Sequence, residues 1–274
     1  MAFDVNNIVI NRPLRGIATN SSGDIVFTLS QIKDPTLTMS SETVQAMDAM
    51  DIPIMEFDRS KSCEFSATQS VFDLALLAAQ GGTTKKYASA NNNIRVPMWE
   101  TVTVGTTDAT VTLKRTPINT ATDCSIPYIW ELKSDKSLST RYSFDDSAAS
   151  ATEFTLSGTT LTLPTGATAT RTFLIPYEYF ATGADNLGAV EVRSSADVFN
   201  VASKFVLQCL GHNVCDPTTE IAVWLIFDNA KLTSDFDLTL SPEMAQAFTL
   251  KVMSAYCETD RPLFKMVIPE NPAA

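Results

Sequence analysis

Apolar residues recur at every second position in several stretches of the chain, a period that argues for half-buried strands. In "DPTLTMS" (34–40), Leu37 and Met39 take one side, Thr36 and Thr38 the other. In "DFDLTLS" (235–241), Phe236, Leu238 and Leu240 oppose Asp235, Asp237 and Thr239. In "AQAFTLKVMSAYCE" (245–258), Phe248, Leu250 and Val252 share a face. "GDIVFTLSQI" (23–32), "IMEFDRSKSCEFSA" (54–67), "FNVASKFVLQCLG" (199–211), "EIAVWLIFDNA" (220–230) and "LFKMVIP" (263–269) read as further strands. Abundant Thr and Ser suit strands and turns, and 45% hydrophobic content supplies a core.

One stretch departs from this period. "SATQSVFDLALLAAQGG" (66–82) sets Val71, Leu74, Leu77 and Ala78 at helical spacing. Ser66 and Gln69 match a capping box, and Gly81 fits a C-terminal cap. The pattern predicts one flanking helix over 66–82. "TTKKYASANNN" (83–93) is polar and turn-rich and reads as a linker or loop. Strands then shorten, from "ETVTVG" through "DATVTLKR", "IPYIWELK", "STRYSF" and "EFTLSGTTLTL" to "ATRTFLIPYEYF". Ser157-Gly158 between two alternating runs marks a hairpin. Such a run of short strands fits a small immunoglobulin-like β-sandwich. The chain therefore reads as mainly β, with residues 1–92 and 190–274 forming one discontinuous domain. A β-sandwich at 95–189 is inserted into it, and long surface insertions cost little because loop-closure entropy grows slowly.

"AMDAMDIPIMEFD" (46–58) is too apolar for a solvent loop and too acidic for a core strand. It reads as the end of a long loop over 40–58. Met47, Met50, Ile52, Pro53, Ile54 and Met55 would form an arm that only a neighbouring subunit buries. Methionine is flexible and packs adaptably, so it suits a surface that is free first and buried later. Pro53 limits stray strand pairing, and the acids keep a free subunit soluble. The alternative is an ordinary loop whose three methionines tuck into their own core.

The net charge is −11, from 31 acids and 20 bases. Such a surface repels nucleic acid and anionic membranes, and suits a protein that lets a polyanion pass without sticking. No apolar run reaches the roughly 20 residues that span a bilayer, so no membrane insertion is expected. The N-terminal segment lacks the basic and apolar regions of a secretion signal. Five scattered cysteines then read as reduced thiols of a cytosolic product.

Candidate chemistry is sparse. Cys209, His212 and Cys215 lie three apart, but a zinc site needs a fourth ligand and no second pair has the spacing. The pattern favours a buried Cys209 and a turn at Gly211 to Asn213. With His212 alone and no G-x-S-x-G, a hydrolase triad has little support. A Cys–His pair with Cys209, Cys215 or Cys257 remains formally open. Lys85-Lys86 reads as a solvated loop rather than a phosphate site. Asp145-Asp146 reads as a turn, and Asp235/Asp237 and Glu56/Asp58 as wet strand faces. No cofactor and no metal are expected.

The order of elements resembles that of bacteriophage tail tube proteins, also called major tail proteins. Three stretches carry the resemblance: "FTLSQIKDPTLTMSSETVQAMDAMDIPIMEFDRSKSCEFSATQSVFDLALLAAQGG", "VWLIFDNAKLTSDFDLTLSPEMAQAFTLKVMSAYC", and the module from "ATVTLKRTPIN" to "FTLSGTTLTLPTGATATRTFLIPYEYF". The resemblance implies a tube-like β-sandwich or barrel domain. It also implies stacked, commonly hexameric rings whose inner strands join into one barrel around an acidic, DNA-conducting lumen. Glu56, Asp58, Glu64, Asp235 and Asp237 are then lumen candidates. Implied partners are copies of the chain itself, sheath if the tail is contractile, baseplate or initiator, terminator, and DNA in passage. The implied location is the virion tail, after synthesis in the host bacterial cytoplasm. Competing readings are a capsid decoration or other virion β-protein, and a carbohydrate-binding module. For the latter, Trp99, Trp130 and Trp224 are scattered and give no readable aromatic platform. An enzyme is the least supported class.

Overall fold

The computed structural model describes residues 7–120, 123–166, 170–184, 187–235, 237–239, 241, 245–254 and 259–270. Among these the chain is mainly β, with one helix. It divides into two compact units, Met1–Lys85 with Val192–Ala274, and Lys86–Glu191. The first unit opens with β1 (Ile8–Thr19), β2 (Ile25–Leu29), β3 (Ile32–Met47), β4 (Pro53–Gln69) and α1 (Leu74–Gln80). The second holds β5 (Lys86–Tyr87), β6 (Ile94–Val104), β7 (Thr110–Thr112), β8 (Asn119–Thr120), β9 (Asp123–Cys124) and β10 (Tyr128–Leu132). It continues with β11 (Leu138–Phe144), β12 (Glu153–Ser157), β13 (Thr160–Thr162), β14 (Arg171–Ala181) and β15 (Val190–Glu191). The first unit then resumes with β16 (Ser203–Asn213), β17 (Asp216–Leu232), β18 (Leu238–Thr239), β19 (Ala245–Val252) and β20 (Lys265–Val267).

In the first unit the main sheet runs β2-β1-β16-β17-β19-β4-β3. Its end strands, β2 and β3, are consecutive in sequence with only Ser30 and Gln31 between them. The sheet therefore curls almost into a barrel. Strand alternation turns Cys63, Phe65 and Ala67 of β4 inward, with Phe27, Phe205, Phe227 and Phe248 from neighbouring strands. The Phe65 ring lies 5.8, 5.7 and 6.1 Å from those of Phe205, Phe227 and Phe248. Each such burial contributes on the order of 1.5–3 kcal/mol. Gly16 lets β1 pass this cluster, because a Cβ there would meet the Phe205 ring at 2.9 Å.

The helix is shorter than its sequence pattern. Ser66 to Gln69 continue β4, with Ser66 opposite Thr249 and Gln69 opposite Gln246 of β19. Ladder pairing over a buried face overrides the local capping box. Asp73 caps the helix instead, accepting the Ala75 N–H at 2.7 Å. Gly81 closes it, donating to the Leu77 carbonyl at 3.0 Å. Leu76, Ala78, Ala79 and Gln80 face inward, while Val71 lies outside the helix and is exposed. Buried amides tie the helix to β19. Gln246 accepts the Asp73 N–H at 3.1 Å, and Gln80 donates to the Ala247 carbonyl at 3.0 Å.

Other sequence boundaries move as well. The expected turn at Gly211 to Asn213 is strand, and the chain turns at Val214 and Cys215. The expected strand over 235–241 is ordered as strand only at Leu238–Thr239, while Phe236 and Leu240 lie outside the described residues. Lys86 belongs to a two-residue strand rather than a plain loop.

In the second unit one path joins β6-β14-β10-β11-β12-β13-β7. It folds over, so that Val111, Phe154 and Leu161 share a core with Ile129, Tyr142, Phe173 and Ile175. Gly158, at φ 59°, makes the turn between β12 and β13. Inside, the Glu100 carboxylate accepts the Lys114 N–H at 2.9 Å and the Tyr177 hydroxyl. Burial, with that carboxylate beside it, pushes the Tyr177 phenol well above its ordinary range.

Candidate functional site

The segment expected to be a loop is a β-hairpin. β3 and β4 pair from Ile32↔Gln69 to Met47↔Pro53, and only Asp48 to Ile52 remain for the turn. Asp48 builds that turn. Its carboxylate accepts the N–H of Met50 at 2.7 Å and of Ile52 at 2.9 Å, and its own N–H donates to the Ile52 carbonyl at 2.9 Å. Asp51, at φ 61°, takes the left-handed position that an Asp tolerates. Pro53 ends the ladder without needing an N–H.

No residue from Ser40 to Ser62 is buried. At about 3.3 Å per residue the hairpin extends roughly 33 Å past Cys63, the last buried residue of β4 before the turn. Among the described residues its two edges are unpaired there, and β19 meets β4 only from Cys63 to Gln69. Register makes the ribbon two-faced. Val44↔Phe57 and Ala46↔Met55 put four apolar side chains on one side, and Thr43↔Asp58 and Gln45↔Glu56 put a polar, acidic set on the other. Met50 is 80% exposed, and Met47, Ile52, Ile54, Met55 and Phe57 are each exposed over at least half their surface. All six predicted arm residues thus lie on the outer half of one hairpin, and the three methionines are not tucked into their own core. Val44 and Phe57 were not singled out from the sequence. Their signal was period-two alternation on both sides of Asp48 to Ile52.

The acids expected to share a face do not all do so. An extra residue in β4 between Lys61 and Asp58 shifts the alternation. Glu56 and Asp58 therefore take the side that Cys63 holds at the base, and Glu64 faces away from the core. Across the sheet Glu64 stands in the row Lys231, Lys251, Glu64, Thr38, with two lysines on one side of it. Asp235 and Asp237 lie between β17 and β18 and line an open depression of about 460 Å³ with Ser234, Ala247 and Thr249.

The remaining candidates stay apart from this surface. Cys209 is buried on β16, where burial pushes its thiol up. His212 is half-buried, Cys215 is exposed, and Cys257 lies outside the described residues. Among the described residues no group of His, Cys, Asp and Glu could hold a metal ion. Asp145 is a turn residue, accepting the N–H of Ser147 at 2.7 Å and of Ala148 at 3.1 Å. No helix among the described residues is long and apolar enough to cross a membrane.

A mainly β chain with a long, two-faced hairpin whose outer part, residues 40–62, holds no buried residue has the makings of an assembling structural protein. Comparison with known families agrees: the YomU/Tube protein family model matches residues 17–260. The chain belongs to that family and is a phage tube protein, a structural protein of the virion tail. No curated protein matches the chain.

Proposed function

We propose that this chain is a tail tube subunit that stacks as rings, hexameric in the simplest arrangement, around a DNA-conducting channel. The observation that carries this reading is the β3–β4 hairpin in a member of a tube family. Among the described residues its apolar face is exposed, and a neighbouring copy supplies the partner. Free edges on both of its strands offer strand addition as a second means of attachment. Met47, Met50, Ile52, Pro53, Ile54 and Met55 make the contact from one ring to the next. The channel acids are drawn from Glu56, Asp58, Glu64, Asp235 and Asp237, and a chain at −11 gives DNA little reason to adhere. The unit 86–191 is an insertion carried on this tube subunit. Initiator and terminator proteins, and sheath if the tail is contractile, are its further partners.

Shortening the hairpin tests the reading. Ser41 and Lys61 are paired neighbours, so residues 42–60 can be replaced by Asn-Gly to make a tight two-residue turn. The shortened subunit stays folded, as judged by its melting curve, and no longer sediments as polymer, with or without the tail initiator. Polymer formation at the normal concentration by the shortened chain contradicts the arm assignment.

A further inference from the structure

The outward face of one sheet in the second unit is aromatic. Trp99 on β6 pairs with Pro176 on β14, Leu174 two residues before Pro176 pairs with Trp130 on β10, and Trp130 pairs with Arg141 on β11. Paired residues and residues two apart share a face, so the two tryptophans, scattered in sequence, stand on one surface. They flank β14, two strand spacings across and two residues along, or about 12 Å apart. Tyr128 joins them, its ring 6.2 Å from that of Trp130. Trp99 is 77% exposed, unusual for the largest apolar side chain. A shallow depression of about 240 Å³ lies among Pro97, Trp99, Tyr128, Trp130 and Pro176.

Charge is arranged around these rings. The Arg141 guanidinium sits 4.3 Å over the Tyr128 ring and has no carboxylate partner among the described residues. At another edge Arg95 is held at 2.7 Å by Glu178 and 2.9 Å by Asp123, two carboxylates around one guanidinium. Arg141 thus stands beside the rings without a carboxylate partner among the described residues, whereas the Arg95 edge is net negative. Its aromatic strip is three strands wide, well short of the roughly 20–30 residues a side of a stable protein interface. Flat, separated rings with a hydrogen-bonding rim suit a ligand that is flat, apolar on its faces and polar at its edges. A pyranose ring has that form, with C–H faces to lie on indole and hydroxyls at the rim.

We infer that unit 86–191 binds an acidic saccharide chain, with Trp99 and Trp130 stacking on sugar rings and Arg141 pairing with a carboxylate or phosphate of the chain. The binding site is separate from the hairpin and does not depend on assembly. The test is affinity electrophoresis of the full chain through gels containing polygalacturonate, a phosphomannan or neutral laminarin. The wild type is retarded by at least one of the two acidic polymers, and which one distinguishes carboxylate from phosphate. Trp99→Ala, at an exposed position that leaves the melting curve unchanged, weakens that retardation at least tenfold. Arg141→Gln weakens it severalfold and removes most of its salt dependence. Absence of retardation by both acidic polymers overturns the proposal, as does equal retardation of Trp99→Ala or retardation by laminarin alone. Trp99→Ala altering self-association without altering retardation identifies a protein interface instead and also overturns it.

Discussion

Replacing both Met55 and Phe57 by serine separates a contact made within the subunit from one made by its neighbour. The two side chains are 56% and 52% exposed, so about half of each remains to be covered. Full burial of such a side chain contributes about 1.5–3 kcal/mol, and covering the remaining half contributes about 1 kcal/mol. The pair then contributes about 2 kcal/mol per hairpin to assembly, roughly thirtyfold in the concentration at which polymer first forms. Within the isolated subunit the same change costs under about 0.5 kcal/mol, the usual range for surface substitutions. Sedimentation of a concentration series measures the first quantity, and thermal unfolding of the dispersed subunit measures the second. The expected result is a polymerisation threshold about thirty times higher with an unchanged melting curve. An unchanged threshold, or a subunit that melts several degrees lower, refutes the reasoning, because the hairpin would then serve its own fold.

Two further perturbations probe the frame that carries the hairpin. Gln246→Ala removes the acceptor of the Asp73 N–H and the donor to Gln80, leaving buried polar groups unmatched. A loss of about 2–3 kcal/mol follows, read as a clear drop in the melting temperature. Asp228 is paired with Lys265 at 2.8 Å and Lys204 at 3.1 Å, and these partners hold its carboxyl below the usual range. Its contribution is complete above the unfolded value of about 4 and is lost as pH falls through the lower folded value. Asp228→Asn therefore costs about 1 kcal/mol at pH 7, and the difference from wild type shrinks below pH 4, measured by thermal unfolding across that range.

The β class was legible because period-two alternation is a local property, and Cys63, Phe65, Phe248 and Leu250 face inward as their spacing says. The exposure of Met47, Met50, Ile52, Ile54 and Met55 was legible for a related reason: apolar positions set among acids have no place in a core. The helix start was not. Ser66 to Gln69 satisfy a capping box, but the choice was made by β19, a strand nearly two hundred residues later, which pairs with them. The face taken by Glu56 and Asp58 was hidden for a similar reason, since one extra residue in β4 reverses an alternation that looks continuous in sequence. The aromatic face was invisible because Trp99 and Trp130 are adjacent only across β14, where Leu174 and Pro176 stand between them.

Electron microscopy of the full chain, concentrated alone and with the tail initiator, tests the central claim directly. The account predicts annular end views and striated tubes with a stain-filled axial channel. Dispersed single subunits under both conditions contradict it.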